Sequence, residues 1–216
     1  MREIAENQKP IVWQTTKGPN GLQQHRGRWL WLVWHPGAFD GVSTTEILAL
    51  NQIYEQLQGH QCDVIALSRD SVRTLMAWAY QIYDSTGIEI LFPLAQDYAD
   101  ENAMRFMKFN HIKHIHRVAV LIGPDEEVWA QLEYPDCVGR HVEELLRILQ
   151  AIQIAQREGM KIPANWQEGT ALILPEPQNY EELLERTMTR EGLCCMDWYL
   201  CFTDQGGVWK QRKQEK

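Results

Sequence analysis

An unbroken apolar run, Trp29-Leu-Trp-Leu-Val-Trp34, leading through a polar loop into apolar residues at helical spacing, constrains this chain more than any other stretch. Six consecutive large apolar side chains leave no polar face to turn to water, so the run predicts a central strand buried on both faces. The loop that follows reads His35-Pro-Gly-Ala-Phe-Asp-Gly-Val-Ser-Thr-Thr-Glu46. Ile47, Leu50, Ile53, Tyr54 and Leu57 then recur at three- and four-residue steps, which predicts an amphipathic helix over residues 44–57. Ser43 and the two threonines after it suit a first turn, where a hydroxyl can satisfy an unpaired amide, and Ser43 is the predicted cap. A strand end, a loop and a helix mouth together favour an anion, through backbone donors and the helix dipole.

The rest of the chain alternates in the same way. Residues 1–28 are polar, and Lys17-Gly-Pro-Asn-Gly21 predicts a hairpin ahead of the first core strand. A strand over 64–68 and a helix from Ser71 follow, the helix turning Leu75, Ala79 and Ile82 to one face. Phe92-Pro93 is read as the end of a short strand, with a helix near residues 100–106. Arg117-Val-Ala-Val-Leu-Ile-Gly123 reads as a buried strand, turned back by Pro124 to Glu127 into residues 128–134. Val142, Leu145, Leu146, Leu149 and Ile152 mark a strongly periodic helix. The pattern is α/β, one layered domain over residues 1–156. Beyond it, residues 157–216 are punctuated by Pro163, Pro175 and Pro177. There a helix near 179–190, carrying Tyr180, Leu183, Leu184 and Met188, forms an arm that cannot bury its apolar side alone.

A chain of 216 residues suffices for one well-buried domain with an extension. Its net charge of −8 argues against nucleic acid or an anionic membrane as partner, since both call for a basic face. No apolar run approaches the ~20 residues that span a bilayer. The start, Met-Arg-Glu-Ile-Ala-Glu-Asn, does not read as a signal peptide, so a cytoplasmic location is expected. The five cysteines, Cys62, Cys137, Cys194, Cys195 and Cys201, are an odd count and do not suggest a structural disulfide framework. Cys62 and Cys137 are expected to be buried thiols. The three tail cysteines lack a second ligand pair at zinc spacing, so neither metal nor cofactor is expected.

The loop resembles the active-site loop of the peroxiredoxins, close to His-Pro-x-Asp-Phe-Thr-Pro-Val-Cys-Thr-Thr-Glu in the cysteine-poor branch. His35, Pro36, Phe39, Val42, Thr44, Thr45 and Glu46 match it. Further segments are similar in the same order: Ser68-Arg-Asp-Ser71, Trp78, Phe92-Pro93 with Asp97, Arg117, Tyr134-Pro135 and Gly139-Arg140. Pro163-Ala-Asn-Trp166 with Gly169 resembles the one-cysteine branch, and Cys195-Met-Asp-Trp-Tyr-Leu-Cys201 resembles the tail of archaeal-type members. The resemblance implies a thioredoxin-like domain with a C-terminal dimerisation arm, assembled as a homodimer and, beyond that, a decamer-like ring of dimers. It places Ser43 where the family has its peroxide-attacking cysteine, Asp40 where it has a threonine, and Gly41 where it has a second proline. Arg117 and Arg140 would hold thiolate and hydroperoxide or another small anion, Glu46 would orient Arg117, and His35 would lie beside the attacking position. Cys201 would be the resolving cysteine and Cys195 its partner.

The departures carry the chemistry. A peroxide-reducing sulfur must be ionised and must accept an oxygen reversibly. A serine hydroxyl does neither, so the chain as written is expected to be catalytically silent or weak, a binding or sensing homologue. The alternative is an active thiol peroxidase, reducing hydrogen peroxide and organic hydroperoxides, whose cysteine at position 43 was engineered to serine. A single deliberate change would not also bring Asp40 and Gly41, which favours natural divergence. A carboxylate at position 40 can only accept hydrogen bonds, so Asp40 is expected to pair with Arg117 or Arg140 and fill the peroxide pocket. Ser43, His35 and Asp40 supply the residue types of a hydrolytic triad, but no Gly-x-Ser-x-Gly elbow frames the serine. With no sulfenic acid to resolve, Cys195 and Cys201 are left to a mutual disulfide, an intersubunit bridge or idle thiols, the last favoured in a reducing compartment.

Overall fold

The computed structural model describes residues 11–97, 117–188 and 193–203. It divides into two compact units, residues 1–146 and 147–216. The first is built on a seven-stranded sheet, comprising β1 (Val12–Thr15), β2 (Asn20–Gly21), β3 (Trp29–Trp34), β4 (Cys62–Ser68), β5 (Leu94–Gln96), β6 (Arg117–Ile122) and β7 (Val128–Tyr134). The strand order is β2-β1-β5-β4-β3-β6-β7. Helix α1 (Gly41–Gly59) carries the chain from β3 to its parallel neighbour β4, and α2 (Val72–Thr86) from β4 to parallel β5. β6 pairs antiparallel with β3 and β7 antiparallel with β6.

Every residue of β3 is buried, as expected for a strand covered on both faces. Successive side chains point to opposite sides, and one side collects Leu30, Leu32, Trp34, Ile65, Leu67, Val118, Val120 and Ile122 into a single core with Trp13 of β1. The opposite face carries Val33, which meets Ile47 and Leu50 of α1 and Leu145 of α3 (Val142–Glu158) around a small cavity. His35 follows in the same alternation. The sequence therefore sends the histidine under the helices.

Three local expectations are corrected. α1 starts at Gly41, and its N-cap is Asp40, whose side chain accepts from the Ser43 amide; Ser43 sits inside the first turn. A carboxylate three residues before that amide is at least as good a cap as a hydroxyl, and the loop conformation presents it. β5 follows Pro93 instead of ending at it: the Pro93 carbonyl accepts from Ala66 N, and a proline just before a strand costs no ladder donor. On α2 the buried stripe is Leu75, Trp78 and Ile82, with Ala79 only half-buried, because the indole brings far more apolar area. The predicted helix near residues 100–106 lies outside the described residues.

The division between the units falls within α3. In the second unit Ala151, Trp166 and Leu172 form a small core, with Ile154, Met160 and Ile162 packed on it. Ile173 bridges Lys161 on one side and Phe202 on the other. Phe202 belongs to a hairpin of β8 (Leu193–Asp197) and β9 (Leu200–Thr203). Helix α4 (Tyr180–Met188) is amphipathic but has no buried residue. Among the described residues, no helix is long and apolar enough to cross a membrane.

Candidate functional site

The sheet topology brings four segments to one edge. β3 ends at Trp34, which pairs with Val118 near the start of antiparallel β6, and Arg117 pairs with Tyr134 at the end of β7. The end of β3, the mouth of α1, the start of β6 and the loop 135–140 therefore meet there. Those segments carry His35, Asp40, Ser43, Glu46, Arg117 and Arg140, and the structure gathers five of them into one hydrogen-bonded cluster.

Glu46 is its centre. Only 5 % of its side chain is exposed; Oε2 accepts from Arg117 Nη1 at 2.9 Å and Arg140 Nη1 at 2.8 Å, and Oε1 from the Arg140 amide at 2.8 Å. Arg117, 1 % exposed, also donates Nε to the Asp136 carbonyl at 2.8 Å, Nη1 to Ser43 Oγ at 3.3 Å and Nη2 to Asp40 Oδ2 at 2.8 Å. Arg140 Nη2 donates to the carbonyls of Trp34 and Val118. Gly139 lies against this cluster, and a Cβ there would meet Val42 at 3.3 Å.

Asp40 Oδ2 gathers three donors: Ser43 N at 2.7 Å, Ser43 Oγ at 2.6 Å and Arg117 Nη2 at 2.8 Å. The Ser43 hydroxyl bond, and then Arg117, hold the Asp40 carboxyl down to about 2, so it is ionised at neutral pH. Ser43 is buried, and its hydrogen points at a carboxylate too weakly basic to take it as a proton. His35 does not complete a triad. Its Nδ1 faces the Gly37 carbonyl at 3.3 Å, its ring lies 5.2 Å from that of Trp78, and burial, with Arg140 next, brings it down to about 4. Burial likewise lowers Arg140 to about 10, against the pull of Glu46.

Two features were not legible from residue types alone. Asp70 accepts from Ala38 N at 2.7 Å and Ser68 Oγ at 3.0 Å, tying the loop before α1 to the end of β4. The Ser68-Arg-Asp-Ser71 segment was a signal for it, since such polar residues bond nearby backbone. Phe39, directly before the cap, adopts φ 61° and is exposed. For a bulky residue this left-handed conformation is strained. Cys137, expected to be buried, is exposed: its loop turns Asp136 O, Gly139 and Arg140 to the site and leaves the thiol outside. Cys62 is buried as expected, which pushes its thiol up. In the second unit Cys195 and Cys201, favoured in the sequence as idle thiols, are instead joined in a disulfide across the β8–β9 hairpin, and Cys194 is an exposed free thiol. Register places Cys195 opposite Cys201, so the bridge follows from the hairpin.

Comparison with known proteins identifies the family. Residues 10–131 match the AhpC/TSA family and residues 151–189 the C-terminal domain of 1-Cys peroxiredoxin. Peroxiredoxin 2 of Caldanaerobacter subterraneus is 37 % identical over 191 residues, covering 87 % of this chain and 86 % of its own. A peroxiredoxin of Thermoplasma volcanium is 35 % identical over 189 residues, covering 87 % and 92 %. The chain belongs to the peroxiredoxin family. A yeast mitochondrial 1-Cys peroxiredoxin superimposes with a TM-score of 0.76 at 25 % identity, covering 94 % of this chain and 99 % of its own. A cysteine-to-serine mutant of peroxiredoxin 6 from Arenicola marina shares the fold, with a TM-score of 0.76 at 23 % identity and coverage of 95 % and 99 %. In this peroxiredoxin the mouth of α1 thus holds a serine, a capping aspartate and two arginines already engaged with protein acceptors. The expected thioredoxin-like peroxiredoxin fold is the one observed.

Proposed function

We propose that this chain is a non-reducing peroxiredoxin, in which an internal carboxylate fills the place where the family's reaction would occur, and that it works by binding or sensing. The observation that carries this is the Asp40 carboxylate, which takes the Ser43 hydroxyl, the Ser43 amide and Arg117 on one oxygen. Asp40 and Glu46 together balance the charges of Arg117 and Arg140. Arg117 has a protein acceptor on each of its three nitrogens, and Asp40 takes the Nη2 donor that a hydroperoxide or small anion would otherwise use. An oxygen at position 43 has no counterpart of the sulfenic state. Asp40 with Gly41 makes this a departure of the loop as a whole and favours natural divergence over a single engineered serine.

In this reading His35 and Glu46 are retained as supports of the arginines, not as participants in a reaction. The Cys195–Cys201 disulfide is a clasp of the hairpin with no sulfenic acid to resolve. The chain acts as a homodimer through its C-terminal arm, with a ring of dimers as the larger assembly. Tyr180 and Met188 of α4, exposed at 72 % and 80 %, are the apolar surface that such a partner would cover.

The test is restoration in two steps. Ser43→Cys should consume hydrogen peroxide slowly under excess dithiol, because the Asp40 charge raises the thiol pKa. Adding Asp40→Thr should raise the rate toward that of active relatives. A single Ser43→Cys variant already as fast as those relatives would overturn the role given to Asp40.

A further inference from the structure

Behind the ion cluster, within the first unit, lies a cavity of about 10 Å³, lined by Ile47, Leu50 and Leu145 on its apolar side and by His35, Glu46 and Arg140 on its polar side. Two atoms of those polar residues, His35 Nε2 and Arg140 Nε, are fully buried with no hydrogen-bond partner in the protein. A buried polar atom left unmatched bears its whole desolvation cost, so two on residues that line one cavity call for an explanation.

Their chemistry is complementary. The Gly37 carbonyl can only accept, so the imidazole hydrogen resides on Nδ1 and Nε2 presents a lone pair. Burial keeps the ring neutral at physiological pH. Arg140 Nε–H can only donate, and both Nη nitrogens of that guanidinium already have acceptors in Glu46, Trp34 and Val118. Whatever serves both atoms must accept one hydrogen bond and donate another. It must also be neutral: an anion would face the Glu46 carboxylate and a cation the Arg140 guanidinium. A volume near 10 Å³ is about one water probe, too small for a hydroperoxide.

We propose that this cavity is the site of one enclosed water molecule, which accepts from Arg140 Nε–H and donates to His35 Nε2. The water gives Arg140 Nε its partner and makes His35 a positioning residue for that guanidinium. This role is independent of whether position 43 carries sulfur or oxygen. It also explains why a histidine that touches neither Ser43 nor Asp40 belongs to the site.

A crystal structure of the unsubstituted protein, at a resolution that shows ordered water, tests the proposal. The expected result is a single density peak within about 2.6–3.2 Å of both His35 Nε2 and Arg140 Nε. An empty cavity, a peak refining as an ion or larger molecule, or a His35 ring turned so that Nε2 bonds protein would overturn it. In solution, magnetisation transfer from a long-lived water to the Arg140 Nε hydrogen is expected in the unsubstituted protein. It should be lost in a folded His35→Phe variant, which keeps the ring shape and removes the acceptor. Undiminished transfer in that variant would show that the histidine does not hold the water.

Discussion

Two guanidiniums buried in one site need their charge answered nearby, and Glu46 answers both through a single carboxylate. Removing that charge leaves Asp40, bonded to Arg117, as the carboxylate answering two buried cations, so Glu46→Gln is expected to lower the unfolding free energy by about 3–5 kcal/mol. Urea titration at neutral pH measures it; a loss under 1 kcal/mol would mean the pair is solvated. His35 makes a separate prediction. Burial lowers its folded pKa to about 4 from 6.5, so the unfolded chain binds the proton first as pH falls. The stability His35 contributes is full above pH 6.5 and is lost as pH falls toward 4, by on the order of 3 kcal/mol. The slope of stability against pH in that window should flatten in His35→Phe. The family pattern made these residue positions legible. Their backbone partners were not: nothing in the residue types tells that Arg117 reaches the Asp136 carbonyl or Arg140 those of Trp34 and Val118.

At the scale of elements, α1 shows how a short polar loop sets a site. Asp40 both caps the helix and pairs with Arg117, and two substitutions separate the roles. Asp40→Asn keeps a good cap and loses the charge; Asp40→Ala loses both, and should cost about 1 kcal/mol more in thermal or urea unfolding. Sulfate should raise the unfolding midpoint of Asp40→Asn more than that of the unsubstituted protein, since the arginines then lack half their counter-charge. Equal salt responses would count against Asp40 as a stand-in anion. The β6–β7 hairpin gives a packing test: a Cβ on Gly123 would run into the Trp129 indole and the Asp125 carboxylate, so Gly123→Ala should destabilise by about 1–3 kcal/mol. Strands and helices with strict periodicity, such as β3 and α3, were readable because burial repeats with the geometry of the element. Boundaries set by one side chain, such as the Asp40 cap, or by one carbonyl, such as that of Pro93, escaped the pattern.

Over the whole molecule the chain has the peroxiredoxin fold, and in the proposed reading it keeps the site's arginines and changes the atom that would react. The arm raises the question of assembly: a homodimer should appear by light scattering at micromolar concentration, and Leu184→Glu on α4 should shift it toward monomer. In the function proposed above, oxygen at position 43, closed in by Asp40, leaves no peroxide reduction at this site. The most direct measurement of this follows hydrogen peroxide in the presence of excess dithiol, with the unsubstituted protein and with a folded variant in which all five cysteines are replaced. The expected result is a rate no higher than the dithiol alone for both proteins. Rapid peroxide loss that persists without any of the five thiols would contradict it.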